Sequence, residues 1–372
     1  MVDNRYCFKV LRYIFSLACF SAAFGMTIFW CYRFWKDEDL CLVDYLPYEK
    51  AVDIPDLTVS VCFRYPFIES RLRTHNTTSD EYVDFLHGTA YRTGLEHIEF
   101  EDVTLKPKDF YLGDSLLWMN GTEMHGNYPN HVNKLPRLTF AGTYSYGTPI
   151  KCYGLSLPNK KVKWGYFALN TTIMPNSTVH PDSPNDPGNC VKKLFIAFHI
   201  ADQMILSHQR IDEVCIQNTI DMERVVDIRI TNLEILRRRN KRETPCITDY
   251  QNYDLTVINE LFDKMGCRSL YMQSTRNLSI CDITKHEFHP NDFDMDYIHD
   301  HLMQPCMSVG DISYRLVYTT YDVNGDNTWE LPNRFWLSLT PPGMVKVINQ
   351  VKDVDIQTVI GNAGGYVGLF VG

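Results

Sequence analysis

The sequence predicts a membrane protein of the α+β class, in which an N-terminal transmembrane helix leads into a large, β-rich, disulfide-bonded ectodomain with inserted helices. Three observations predict it. An uncharged, mostly apolar run, "YIFSLACFSAAFGMTIFWCY", extends from Tyr13 to Tyr32. Nine of the twelve cysteines and all five N-x-S/T sequons lie after that run. The body of the chain is then dominated by short segments rich in β-branched and aromatic residues, the composition of strands.

Taken in order, residues 1–12 form a short N-terminus and residues 13–35 the membrane helix. At roughly 1.5 Å per residue, twenty residues cross a ~30 Å hydrocarbon core. Arg5, Lys9 and Arg12 precede the run and Asp37, Glu38 and Asp39 follow it, so the positive-inside bias places the N-terminus in the cytosol. Trp30, Tyr32, Phe34 and Trp35 supply an aromatic belt at the outer interface. A cleaved signal peptide is the competing reading, but the run exceeds the usual ~7–15 apolar residues and its far end is bulky.

Everything after residue 36 is then extracellular, with the chain at the plasma membrane. The sequons are Asn76, Asn120, Asn170, Asn176 and Asn277, each a candidate glycosylation site. The cysteines beyond the run (Cys41, Cys62, Cys152, Cys190, Cys215, Cys246, Cys267, Cys281 and Cys306) should form disulfides in an oxidising compartment, and none shows the C-x-x-C spacing of a zinc site.

Within residues 36–349, strands are expected at Leu57 to Phe63, Lys192 to Ile200 and Val225 to Leu236. In the last, Val226, Ile228 and Ile230 alternate with Asp227, Arg229 and Thr231, the pattern of a half-buried antiparallel strand. Thr78 to Glu81 reads as a capping box opening a helix that carries Tyr82, Phe85 and Leu86. A second helix is expected from about Tyr253 to Met265, with Leu255, Ile258, Leu261, Phe262 and Met265 on one face and Gly266 as its stop. The segment His180 to Asn189 is a Pro-rich loop.

The net charge of −9 argues against a nucleic-acid surface. No G-x-S-x-G, H-E-x-x-H or Walker pattern occurs, so neither an enzyme, a cofactor nor a metal site is expected. The final stretch "IGNAGGYVGLFVG", Ile360 to Gly372, holds five glycines in thirteen residues and no charge. It is either a sticky terminus or the opening turns of a further element.

Several stretches resemble the degenerin/epithelial sodium channel superfamily, which includes the acid-sensing and pickpocket-type subunits. "YLPYEKAVDIPDLTVSVCFRYPF" (Tyr45 to Phe67) is similar to the family's first palm strand, "IKCYGLSL" (Ile150 to Leu157) to a later strand, and "VVDIRITNLEIL" to the strand entering the cysteine-rich thumb. "PCMSVGDISYRLV" resembles the strand leaving the thumb, and Val345 to Gly372 the approach to the second membrane helix. The resemblance implies a palm, finger and thumb ectodomain, with the thumb at about residues 246–306, and the start of a second membrane helix in residues 350–372. It implies a homo- or hetero-trimer in the lipid bilayer around a sodium-selective, amiloride-sensitive pore. The alternative is a single-pass glycoprotein receptor or adhesion module.

By the same resemblance, Cys62 pairs with Cys152, and Cys246–Cys306 encloses Cys267–Cys281; Cys190 and Cys215 are free to pair, leaving Cys41 odd. Gly364, Gly365 and Gly368 are the glycines of the pore helix, Gly361 is a gating position, and Gly372 is the first residue of the selectivity filter, so a C-terminally truncated fragment is expected. Two departures stand out. The family's N-terminal His-Gly motif has no counterpart, and the aromatic that precedes the first thumb cysteine, coupling thumb to pore, is replaced by "KRETPC".

Two further motifs carry alternatives. His286, His289, His299 and His301 cluster with carboxylates and offer proton or divalent-cation sensing, against a solvated acidic loop. "RRRNKR" (Arg237 to Arg242) offers a furin-type cleavage site, against an exposed basic loop.

Overall fold

The structure is a computed structural model, and it describes residues 4–86, 94–111, 117–120, 123–126, 137–144, 148–157, 159–170, 193–207, 212–215, 222–268, 275–281, 303–322 and 334–370. It has the architecture of an α+β membrane protein. Its first element is a helix, Asn4–Lys36, of which Phe8–Lys36 is long and apolar enough to cross a bilayer. The helix runs past both ends of the apolar stretch, because apolar composition marks the part that suits lipid while helical hydrogen bonding does not require it.

Thirteen strands occur among the described residues. The first seven are β1 (Asp39–Pro47), β2 (Leu57–Arg64), β3 (Leu117–Asn120), β4 (Glu123–Gly126), β5 (Arg137–Tyr144), β6 (Thr148–Ser156) and β7 (Val162–Asn170). Then follow β8 (Lys193–Ile200), β9 (Asp212–Cys215), β10 (Met222–Arg237), β11 (Met307–Asp322), β12 (Arg334–Thr340) and β13 (Met344–Lys352). The chain divides into two compact units.

The larger unit comprises Tyr45–Leu236 and Asn240–Lys346. One of its sheets has the order β5-β6-β2-β8-β9, and β2 is antiparallel to both its neighbours. That central place explains "LTVSVCF": Val59, Val61 and Cys62 are wholly buried, and a strand covered on both faces needs no polar alternation. A second run of strands has the order β10-β12-β7-β3-β4, with β11 also on β10. In β10, Val226, Ile228 and Ile230 are buried while Arg229 and Thr231 are exposed, as their alternation predicts. Its pairing with β12, however, is parallel. The period-two pattern reports one covered face and carries no information about a partner's direction.

Inserted helices pack on this scaffold. The helix Ser79–Leu86 opens on a reciprocal capping box: the Thr78 amide donates to Glu81 Oε2 at 3.1 Å, and the Glu81 amide to Thr78 Oγ1 at 3.3 Å. The helix Tyr253–Met265 stops at Gly266, whose φ of 73° closes a left-handed cap onto the Phe262 carbonyl. Its buried face is Tyr253, Val257, Ile258 and Phe262, while Leu255, Leu261 and Met265 are half-buried. The face is turned because Asp254 points inward. Its carboxylate accepts the Met204 amide at 2.7 Å and the Ile205 amide at 3.2 Å, and burial raises its pKa well above the usual carboxylate range.

The smaller unit comprises Met1–Asp44, Arg237–Arg239 and Val347–Gly372. It holds the N-terminal helix, the pairing of β1 with β13, and a C-terminal helix, Ile356–Phe370. Most of the N-terminal helix's large side chains are exposed, among them Phe15, Phe20 and Phe24. A helix that is apolar on every side and uncovered is suited to a lipid environment.

Candidate functional site

The two apolar helices pack together within the smaller unit. Ala23 and Val359 are buried there, and Trp30 Nε1 donates to the Tyr366 hydroxyl at 3.3 Å. The C-terminal helix has fifteen described residues, a rise of about 22 Å, some three quarters of a ~30 Å bilayer core. Its first turn is set by Asp355, whose carboxylate accepts the Thr358 amide at 2.6 Å.

Gly361, Gly364, Gly365 and Gly368 fall on the face of this helix that the N-terminal helix does not cover. All four are exposed, and a Cβ built on any of them would meet nothing within 4 Å. The glycines therefore do not serve the contact between these two helices. They present a smooth backbone surface of the kind that lets helices or ions approach closely.

Beside the helix ends lies a cluster of charges that the sequence did not single out as a site. Asp37 follows the last turn of the N-terminal helix with a φ of 51°, a left-handed conformation that favours glycine or asparagine. Arg239 Nη2 reaches its carboxylate at 2.5 Å, and Lys352 Nζ lies 3.2 Å from its other oxygen. Arg239 Nε is also 3.4 Å from Asp39 Oδ1. The same Lys352 ammonium sits over the Phe34 ring at 3.4 Å. Arg33 pairs with Asp353, and the Asp353 amide donates to the Glu38 carbonyl at 3.0 Å. The hydrogen bond from Arg239, followed by that from Lys352, lowers the Asp37 pKa below its ordinary value. Two segments distant in sequence, residue 239 and residues 352–353, thus converge on the end of one helix.

"RRRNKR" is therefore not a uniformly exposed basic loop. The Arg239 side chain is only 21% exposed and is held by two carboxylates, whereas Arg242 is exposed. The available signal was charge alone: a D-E-D triplet after one apolar run, K-D-V-D before the other, and a basic run between them with the strength to bridge both.

Among the described residues, disulfides join Cys62 to Cys152, Cys246 to Cys306 and Cys267 to Cys281. Cys62 and Cys152 lie directly opposite each other on β2 and β6. Cys41 is an exposed free thiol, and Cys190 lies outside the described residues. Among the sequons, Asn76 and Asn277 are exposed, Asn170 is half-buried at the end of β7, and Asn120 ends β3. Asn176, Gly372, the loop from His180 to Asn189 and the four histidines His286, His289, His299 and His301 lie outside the described residues. Among the described residues, no group of three His, Cys, Asp or Glu side chains is placed to hold a metal ion.

No family model matches the chain, and no curated protein matches it. Among solved structures, a proton-activated chloride channel determined by cryo-electron microscopy is similar over 98% of this chain and 93% of that one, at 7% identity and a TM-score of 0.30. So loose a superposition carries no argument about what this chain does.

Proposed function

We propose that this chain is a subunit of a trimeric, sodium-selective, amiloride-sensitive cation channel of the plasma membrane, gated through an extracellular domain, and not an enzyme. The observation that carries the reading is the uncovered glycine face of Ile356–Phe370 beside a membrane-competent helix. Copies of this helix around an axis bring such faces together, leaving backbone close to a permeating ion. The buried disulfides and the exposed sequons Asn76 and Asn277 support an extracellular place for the β-rich part.

The test is electrophysiological. Expressed from its full coding sequence, alone and with related subunits, the chain should carry an inward current whose reversal potential follows external sodium and which amiloride blocks. A reversal potential that follows chloride sinks the selectivity. Surface-labelled protein with no current under any subunit combination favours the receptor or adhesion module.

A second test uses the glycines. Gly364→Ala and Gly365→Ala should each stabilise an isolated helix by roughly 0.5–1 kcal/mol, because open space accepts the methyl group and alanine has the better helix propensity. In the assembled channel the same changes should reduce conductance severalfold at unchanged surface level. Currents equal to wild type would remove these glycines from the pore.

A further inference from the structure

We propose that a small cavity beside the start of the helix Tyr253–Met265 binds a compact organic amine carrying one positive charge. The site lies wholly within the larger unit, and its occupancy does not depend on whether the chain conducts.

Strand β8 ends at Ile200, and the next residue, Ala201, turns the chain with a φ of 47°. The Asp202 amide then donates to the Gln251 carbonyl at 3.2 Å, and the Asp254 amide to the Asp202 carbonyl at 2.9 Å. These crossed bonds bring two carboxylates, with Arg137 from β5, to the wall of one cavity of about 100 Å³. Leu138, Leu255 and Ile258 line it with apolar surface. Asp254 is only 5% exposed, whereas the Arg137 side chain is 75% exposed, so the acid lies deep and the guanidinium stands at the rim.

The balance of charge selects the ligand. Arg137 Nη2 reaches Asp202 Oδ2 at 2.8 Å, which neutralises that carboxylate and leaves Asp254 without a cation among the described residues. Asp254 accepts the Met204 and Ile205 amides, yet a carboxylate has about four acceptor positions, so part of its capacity stays open. Burial, and after it the Asp202 charge, raise the Asp254 pKa, as expected of a site short of one positive charge. A proton or an ammonium group supplies that charge, and only the ammonium brings carbon to cover the apolar wall. At ~30 Å³ per water the space holds about three waters, or an ammonium on a short carbon chain. A calcium ion takes about six to eight oxygen ligands, more than two carboxylates beside a guanidinium provide.

The experiment is a ligand-observed NMR titration of the full chain in detergent micelles with n-butylamine. Its uncharged counterpart 1-butanol is the control, and empty micelles are the blank. The amine should bind with a dissociation constant of ~1 mM or tighter, and the alcohol about tenfold more weakly. Asp254→Asn should weaken the amine about tenfold by removing the charge it meets. Arg137→Gln should tighten it about threefold, because a competing positive charge leaves the rim, a gain that a merely structural ion pair does not give. An amine held no better than 1-butanol, or no better than by empty micelles, overturns the inference. So does an affinity that Arg137→Gln leaves unchanged or lowers, or that a folded Asp254→Asn leaves unchanged. If circular dichroism shows that Asp254→Asn does not fold, the exposed Arg137→Gln and the alcohol comparison still decide.

Discussion

Replacing Cys62 and Cys152 together by alanine is expected to cost the larger unit roughly 4–5 kcal/mol, most of the stability of an ordinary domain. The disulfide closes a separation of 90 residues, and the chain-entropy relation gives about 4.6 kcal/mol for a loop of that length. Both cysteines are wholly buried on adjacent central strands, so the loss of two packed sulfurs adds to the entropic term. Cys267–Cys281 closes a separation of only 14 residues, for which the same relation gives about 3 kcal/mol. Denaturant unfolding of the full chain in detergent checks both the size and the order. A loss below 1 kcal/mol for the first pair, or a larger loss for the second, would contradict it. Either result would mean that the native packing of β2 against β6 holds these strands without the covalent link.

Acid should also weaken this unit, and His199 is the group responsible. Its Nδ1 lies 2.8 Å from the Ala201 carbonyl, which can only accept, so Nδ1 carries the proton. In the neutral ring Nε2 is then an acceptor, and it takes the Ser60 hydroxyl proton at 2.8 Å. Ser60 Oγ in turn lies 2.8 Å from Thr139 Oγ1, which is left to donate to it. Burial pushes the His199 pKa down to about 4 from an ordinary 6.5.

A depressed folded-state value means that the native protein binds fewer protons than the unfolded chain. The stabilisation is complete above the unfolded pKa and is lost as pH falls from ~6.5 toward ~4, a total of order 3 kcal/mol. Asp254 acts in the opposite direction, since its raised value favours the protonated native state, but it is common to wild type and variant. Between pH 7.5 and 4.5, wild type should therefore lose about 2–3 kcal/mol more than His199→Gln, which cannot titrate. Parallel pH curves for the two proteins would show that the imidazole is hydrated in the native state.

The comparison of sequence and structure is clearest in particular elements. The capping box at Thr78 and the stop at Gly266 were legible because each is decided by residues within four positions of one another. The buried face of Tyr253–Met265 was misjudged by part of a turn. Apolar periodicity cannot anticipate that Asp254 will be drawn inward to two amides some fifty residues earlier. The parallel pairing of β10 with β12 was missed for a related reason, as β12 follows about a hundred residues later. At the candidate site the glycine spacing was plain, but which way the glycines face depended on where the N-terminal helix lies.

The sequence by itself determined that one segment suits a bilayer, that nine of the twelve cysteines lie beyond it, and that Ile360 to Gly372 is uncharged and glycine-spaced. Those properties follow from local composition, which acts through solvation of each segment separately. Tertiary structure alone decided that Arg239 and Lys352 share Asp37, that the glycines are left uncovered, and that a histidine is buried neutral. Each of these depends on groups brought together from distant parts of the chain, where a charge or an imidazole takes its properties from neighbours that no local pattern encodes.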